Sequence, residues 1–221
     1  MTNYIVGVCT GNSGRSPVFE LAGNNHLEDI GADDRLMVVS AGTLVDVIKK
    51  GEYSIESMKK FIDQARQRGD IYTPSEEARL DEAVATGDLK TARLLFKHLV
   101  ETFHTEEVSH RTAAIRHFGI KNDDTLRKLS YQFNPIDSYF DRAAVITMDA
   151  RNKGVVEKMY DDAKLQRPYV EVLNQVPGNV GKLLNADAFG KTRQEYFTVF
   201  EQILQQTPAA IDYVLEHVTR R

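Results

Sequence analysis

The chain has 221 residues, a formal net charge of −4 and a single cysteine, with 42% hydrophobic and 27% charged residues. One cysteine excludes an internal disulfide and a cysteine-rich zinc site, and the acidic balance argues against nucleic acid as a partner. Because no apolar run reaches the roughly 18 residues of a membrane span, and Met1–Gly7 lacks the charged start and apolar stretch of a signal peptide, we expect a cytoplasmic globular protein without a membrane partner.

Strand and helix patterns alternate along most of the chain. Four short apolar runs predict strands, and at least three of them lack polar alternation, as buried parallel strands do: Tyr4–Cys9, Leu36–Ser40, Ala143–Met148 and Tyr169–Leu173. Four stretches between and after them predict helices: Ser16–Leu27, Arg111–Phe118, Arg151–Asp162 and Gln194–Glu216. This alternation predicts an α/β fold, a doubly wound four-stranded parallel sheet with flanking helices and a site at the carboxyl ends of the strands.

The segment from about residue 45 to 108 interrupts this alternation. It contains no convincing strand, and its patterns predict two or three helices: Ser54–Arg68, one that starts at Thr73-Pro74, and Leu89–Phe103. We therefore expect a single domain over 1–221, with a core of 1–44 and 109–221 and an α-helical hairpin or bundle inserted over 45–108.

The first predicted strand ends in a run of residues suited to binding an oxyanion: Cys9-Thr10-Gly11-Asn12-Ser13-Gly14-Arg15-Ser16-Pro17. The glycines Gly11 and Gly14 permit tight turns and a positive φ. Successive backbone N–H groups, with the start of a helix near Ser16, form a nest for a phosphate-like anion. Arg15 can bind two oxygens of that anion with its planar fork.

Two interpretations of Cys9 are possible from the sequence. A free cysteine taken alone is most often a buried core residue. Here it lies at the floor of a positive field that favours the nucleophilic thiolate, and Ser16 stands where its hydroxyl can donate to the sulfur. Arg15 and Ser16 lie six and seven residues after Cys9, between a predicted strand and a predicted helix. This spacing favours the interpretation of Cys9 as a catalytic residue.

These residues resemble the signature of the low-molecular-weight protein tyrosine phosphatase family, Cys-x5-Arg-Ser-Pro after the first strand. Four further pieces are similar to segments of that family: Val39–Thr43 to its "SAGT", His117–Ile120 to its "HGI", Ala143–Asp149 with Asn152 to its "ILCMDESN", and Asp187–Gly190 to its "DPYYG". The resemblance covers about 1–44 and 109–221. Its loop motif is specific, and the other pieces are supportive.

The resemblance implies a cysteine-dependent phosphatase. Cys9 would form a phosphocysteine intermediate while Arg15 and the loop residues 10–14 hold the phosphate oxygens. Asp187 would act as the general acid and then as the base, Phe189 would form an apolar wall of the cleft, and Asn12 would brace the loop. No metal or cofactor is implied.

Two other aspartates are candidates for the acid, and two residues of this chain differ from those that the family usually has at the same positions. Asp161 and Asp162 are rival acids, but their place at the end of a predicted helix favours a solvated face. Ala188 stands where the family usually has proline, which removes a backbone restraint beside Asp187. Gly14 replaces a cysteine that many members carry, so Cys9 has no neighbour for a protective disulfide.

The sequence gives less information about the substrate and the partners than about the loop. The small hydroxyl of Ser13 resembles the threonine of the bacterial arginine-phosphatase branch, so phosphotyrosine and phosphoarginine in proteins, or a small phosphate ester, are the candidate substrates. Tyr53 or Tyr72 is a candidate for the aromatic wall that the family builds after its "SAGT". The insertion itself would cap the cleft or contact a protein partner or a second copy.

The sequence is also compatible with two alternative functions. One is an arsenate reductase that uses a small external thiol, because related proteins bind arsenate with the same loop; the form that needs two more cysteines is excluded. The other is a binding or scaffold protein with a phosphate loop and vestigial catalysis.

Overall fold

The computed structural model describes residues 3–54, 58–59, 62–63, 66, 73–121, 131–137, 142–182 and 191–218. Its elements follow one another in the order β1 (Asn3–Cys9), α1 (Arg15–Asp29), β2 (Leu36–Gly42), α2 (Val45–Lys50), α3 (Pro74–Thr86), α4 (Leu89–His117), β3 (Arg142–Thr147), α5 (Ala150–Asp162), β4 (Tyr169–Val172) and α6 (Arg193–His217). A 3-10 turn, Leu173–Gln175, follows β4. Within these ranges, no helix has the length and apolar character needed to cross a membrane.

The four predicted strands form one parallel sheet in the order β2-β1-β3-β4. The central strand β1 pairs with β2 on one side, where Cys9 lies opposite Gly42, and with β3 on the other, where Val8 lies opposite Thr147. The predicted fold class is confirmed. Because parallel strands end at the same edge of the sheet, Cys9 stands in the middle of the edge where ligands bind in such folds.

Helices cover both faces of the sheet. On one face, α1, α6 and the end of α4 pack over Ile5 and Val38 in a cluster that includes Phe19, Phe200 and Ala114. On the other face, α5 and Phe133 cover the side chains of Val6, Val8 and Val145, with Val156 and Tyr160 as the helix contribution. Alternate residues of β1 therefore point into different layers, which explains why this strand is apolar without a polar alternation.

The long helix α4 corrects the sequence prediction. The two helices expected at Leu89–Phe103 and Arg111–Phe118 are one helix of 29 residues, about 43 Å long. The connecting residues 104–110 are mostly polar but include no glycine or proline, so nothing ends the helix there. The expected end of the insertion at residue 108 thus lies inside a continuous helix.

The segment 45–108 has a hydrophobic cluster of its own: Tyr53, Met58, Ile62, Leu80, Ala83, Ala92, Phe96, Leu99, Val100 and Phe103. Its helix α3 begins where expected, with Pro74 at the first position and a capping box between Thr73 and Glu76. Tyr53 packs edge-on against Phe96, with ring centroids 4.7 Å apart, and burial raises the pKa of Tyr53 to about 12. Tyr53 is thus a core residue of this segment and not a cleft wall; Tyr72 lies outside the described residues.

Candidate active site

The loop after β1 is attached to the segment that follows β2. Thr43 N donates to Cys9 O at 3.0 Å and Leu44 N donates to Thr10 O at 3.0 Å, so two loop carbonyls are committed to this neighbour. Gly42 makes the approach feasible, because a Cβ there would lie 2.8 Å from Thr10 O and 2.9 Å from Asn12 N. The glycine of the "SAGT"-like piece therefore has a steric role at the loop.

The sulfur of Cys9 accepts hydrogen bonds from two donors. Asn12 N lies 3.2 Å from Sγ and Ser16 Oγ lies 3.0 Å from it. Ser16 Oγ is also 3.0 Å from Asn12 Oδ1 and 3.2 Å from Ala41 O, and its single proton goes to the strongest acceptor, which a thiolate would be. Cys9 and Ser16 are buried at 4% and 0% exposure. These contacts stabilise negative charge on the sulfur.

Asn12 gives the loop its shape. Its φ is +52°, whereas neither Gly11 nor Gly14 has a positive φ and Gly14 has a φ of −120°. The prediction that the glycines supply the left-handed turn is therefore wrong; asparagine adopts this region more readily than most residues. The side chain of Asn12 also braces the loop, since Nδ2 donates to Ser40 O at 3.4 Å and Oδ1 lies 3.0 Å from Ser16 Oγ.

Gly14 is required by space and not by its dihedral angles. A Cβ at this position would lie 2.2 Å from Glu107 Oε1 on α4 and 2.5 Å from Tyr196 Oη on α6. Tyr196 is fully buried, and both helices press directly on the loop. A cysteine at position 14, as in many members of the resembling family, could not fit beside these two groups.

We expect Gly14→Ala to lower the free energy of unfolding by about 1–3 kcal/mol, the usual cost of overpacking a filled site. Urea unfolding would measure the change. The matched control is Gly154→Ala in α5, where a Cβ meets nothing within 4 Å and alanine should stabilise the helix by about 0.5–1 kcal/mol. A Gly14→Ala chain as stable as the Gly154→Ala chain would contradict the described packing.

Arg15 is held by Asp149, the residue that follows β3 by two positions. The guanidinium is buried at 3% exposure, and Nη1 donates to Asp149 Oδ2 at 2.8 Å. Burial acts to raise the pKa of Asp149, but the charge of Arg15 and the hydrogen bonds from Asn152 and Arg15 outweigh it, so the pKa of Asp149 is lower than usual. The ionised carboxylate fixes the direction of the Arg15 fork.

Asn152 connects three parts of the site. Its N–H donates to Asp149 Oδ1 at 2.8 Å, which places Asp149 as the N-cap of α5. Its Oδ1 accepts from Thr10 Oγ1 at 3.4 Å and from Thr43 Oγ1 at 3.3 Å. The loop, the end of β2 and the start of α5 are thereby linked, which explains why Asn152 belongs with the loop although it lies far along the chain.

A second group of loop contacts comes from the segment 45–108 and from α4. Ser13 Oγ donates to Glu107 Oε2, and Arg111 Nη1 donates to Ser13 O. On α2, Ile48 Cδ1 lies 3.3 Å from where a Cβ of Gly11 would stand. These residues were not predicted from the sequence. Glu107 and Arg111 follow Phe103 at a spacing of four residues, which places the three on one face of a helix.

Some predicted site residues lie outside the described part of the chain. These are Asp187, Ala188 and Phe189. The rival acids Asp161 and Asp162 are exposed and accept from Arg167 and Lys158 respectively, as expected for a solvated helix face. Among the described residues, no group of three or more His, Cys, Asp or Glu side chains could hold a metal ion.

Comparison with known proteins identifies the fold through solved structures. No family model and no curated protein matches this chain. A drosophila arginine phosphatase, DARP, aligns with 98% of this chain and 97% of its own at 15% identity and a TM-score of 0.54. A protein tyrosine phosphatase from Entamoeba histolytica aligns with 99% and 98% at 12% identity and 0.54, and the YwlE arginine phosphatase of Geobacillus stearothermophilus with 97% and 97% at 17% and 0.51.

The chain has the low-molecular-weight protein tyrosine phosphatase fold. The predicted resemblance is thus confirmed at the level of the fold. In this fold the loop from Cys9 to Arg15 occupies the carboxyl edge of the central strand, and the chemistry proposed below rests on the residues of this chain.

Proposed function

We propose that this chain is a cysteine-dependent phosphatase that hydrolyses phosphate monoesters. The observation that carries the proposal is the environment of Cys9, whose sulfur accepts from Asn12 N and Ser16 Oγ at the start of α1. The fixed, buried guanidinium of Arg15 stands in the same loop. A nucleophile, a group to stabilise it and a cation for the transferring oxygens are the parts that such a reaction needs.

In the first step, the Cys9 thiolate attacks phosphorus in line with the leaving oxygen. The S–P bond forms and the bond from phosphorus to the leaving group breaks, which is P–O in an ester such as phosphotyrosine and P–N in phosphoarginine. Asp187 gives its proton to the departing oxygen or nitrogen. Arg15 and the loop N–H groups hold the three other oxygens, on which negative charge is spread. A phosphorylated active-site serine in a cysteine-to-serine mutant of the YwlE arginine phosphatase, a structural neighbour, supports a covalent intermediate.

In the second step, water replaces the sulfur. The Asp187 carboxylate takes a proton from the attacking water, the P–O bond forms and the S–P bond breaks. Ser16 Oγ and Asn12 N receive the leaving thiolate, since both already donate to the sulfur. Splitting the hydrolysis into two assisted displacements suits a reaction that is among the slowest without a catalyst.

The depth of the sulfur limits the substrates. Cys9 is only 4% exposed, so a substrate must carry its phosphate on a stem long or flat enough to reach the floor of the loop. Phosphotyrosine and phosphoarginine meet this requirement better than phosphoserine. The Vibrio vulnificus Wzb structure, solved in complex with benzylphosphonate, supports the aromatic class, and the drosophila arginine phosphatase supports the other. Phe189 and Ile48 would line the stem.

The test is a comparison of substrates with the native chain and with Asp187→Ala. We expect hydrolysis of p-nitrophenyl phosphate and of a phosphotyrosine or phosphoarginine peptide, and a loss of about 10²- to 10⁴-fold in kcat for Asp187→Ala, the usual contribution of a general acid. Thiol-dependent turnover of arsenate without ester hydrolysis would replace the proposal by arsenate reduction. Tight phosphate binding without any turnover would replace it by a binding role.

The proposed function also implies a cellular location. A catalytic thiol needs a reducing compartment, which supports a cytoplasmic location.

The segment 45–108 is proposed to be an insertion. Its separate hydrophobic cluster supports its treatment as an insertion in a core of 1–44 and 109–221. Its contact through α2 and α4 with the loop supports a role at the cleft, whether as a cap or as a contact for a protein partner or a second copy.

A further inference from the structure

We propose that Glu107 and Arg111 of α4 are positioning residues for the phosphate loop, which they hold through Ser13. The proposal rests on the proposed function for its kinetic readout. Glu107 Oε2 accepts from Ser13 Oγ, and Arg111 Nη1 donates to Ser13 O. The two helix residues are only 6% and 8% exposed, so water competes little for these contacts.

The contact with Arg111 fixes the orientation of a loop amide. Ser13 O and Gly14 N–H belong to one planar peptide, and in a trans peptide the C=O and the N–H point in opposite directions. No cis peptide bond occurs in the described residues. Because Arg111 on α4 binds the carbonyl, the N–H of Gly14 points away from the Arg111 guanidinium, on the other side of the loop backbone. There it can donate to a bound phosphate oxygen.

The contact with Glu107 fixes the same residue by its side chain. Ser13 stands between Asn12, whose N–H donates to Cys9 Sγ, and Gly14, the N-cap of α1. A rotation of Ser13 would therefore displace an amide that contacts the nucleophile and the start of the helix. Glu107 Oε1 also occupies the space beside Gly14, which prevents the loop from moving back towards α4.

The same face of α4 connects these contacts to the core of 45–108. Phe96, Leu99 and Phe103 are buried in that core, and Glu107 and Arg111 follow them at helical spacing of four residues. Leu99 and Glu107 are about 12 Å apart along the helix axis. The packing of the insertion core therefore sets the place of the carboxylate that holds Ser13.

The first experiment compares Glu107→Ala with Glu107→Gln. Removal of the acceptor should lower kcat/KM for p-nitrophenyl phosphate by about tenfold to a hundredfold, as for the loss of one partner in a buried charge-assisted hydrogen bond. It should weaken the binding of inorganic phosphate by a similar factor. Glutamine retains an acceptor for the Ser13 hydroxyl and should stay within about fivefold of the native values. Glu101→Ala, an exposed carboxylate on the same helix, is the matched control and should behave as native.

The second experiment tests whether Glu107 acts through Ser13. In a Ser13→Ala background, Glu107→Ala should cost less than about threefold in kcat/KM, because the shared contact is already absent. Fully additive losses would overturn the proposal, and so would native kcat/KM and phosphate affinity in Glu107→Ala. Equal losses in Glu107→Gln and Glu107→Ala, with both chains folded by urea unfolding, would also overturn it.

Phosphate affinity, measured by calorimetry, separates this inference from the proposed function. If the native chain binds phosphate but hydrolyses no ester, the proposed function fails and the positioning role is read from the affinities alone. If the native chain does not bind phosphate, both fail.

Discussion

Cys9→Ser should lower kcat for p-nitrophenyl phosphate by at least about 10⁴-fold, the order of loss found when a covalent nucleophile is removed. A serine hydroxyl is a poor nucleophile near neutral pH without an adjacent base, and Asn12 N and Ser16 Oγ supply donors, not a base, at this position. Binding of inorganic phosphate should be retained or strengthened, because the variant no longer places a negative sulfur beneath the anion. Kinetics and calorimetry would give the two values.

The lone cysteine makes this prediction specific. Since the sequence has one cysteine, a phosphoryl group found on a thiol after an acid quench can only be on Cys9, and intact mass spectrometry would detect it. Alkylation by iodoacetamide should abolish turnover, and inorganic phosphate should slow the alkylation. Ser109→Ala, which alters an exposed serine on α4, is the substitution for comparison. Native turnover in the Cys9→Ser chain would refute the proposed mechanism.

Arg15→Lys should lower kcat/KM by about 10²- to 10³-fold, the range for loss of one fixed donor to the charge that develops in the transition state. Lysine keeps the positive charge beside Asp149, so that the carboxylate is not left without a cation. It cannot reproduce a planar fork that binds Asp149 and phosphate at once. The described contact between Nη1 and Asp149 Oδ2, at 2.8 Å, shows the direction in which the fork is held.

Separate kcat and KM values would distinguish two consequences of this substitution. Loss of transition-state contacts appears in kcat, whereas loss of uniform phosphate binding appears in KM. Arg35→Lys, which alters an exposed arginine away from the loop, should leave both unchanged. A kcat/KM for Arg15→Lys within about threefold of native would show that bidentate binding by Arg15 is not needed.

The sheet and the loop were predictable because their signals are local. Four apolar runs predicted the strands that the sheet contains, and a cysteine followed at six residues by Arg15 predicted an anion site, which stays a prediction. Asp149 was within reach of the same reasoning, since an N-cap residue just beyond β3 must stand at the edge where Cys9 lies. Its partner Arg15, however, is far from it along the chain, and a sequence pattern does not show that the two side chains are in contact.

The contacts of Glu107 and Arg111 could not be predicted either, because they also join residues that are far apart along the chain. Their partner, Ser13, is 94 and 98 residues away along the chain, and a charged residue is expected on the surface unless such a partner is known. The assignment of the left-handed turn failed differently: composition favoured glycine, but packing of the loop placed Asn12 in that conformation.

The continuity of α4 determines how this chain can be shortened. Deletion of 45–108 would leave only the last part of that helix, 109–117. It would also remove Glu107 while leaving Arg111 buried. A shorter chain that keeps the loop and its contact with Glu107 must therefore retain α4 whole.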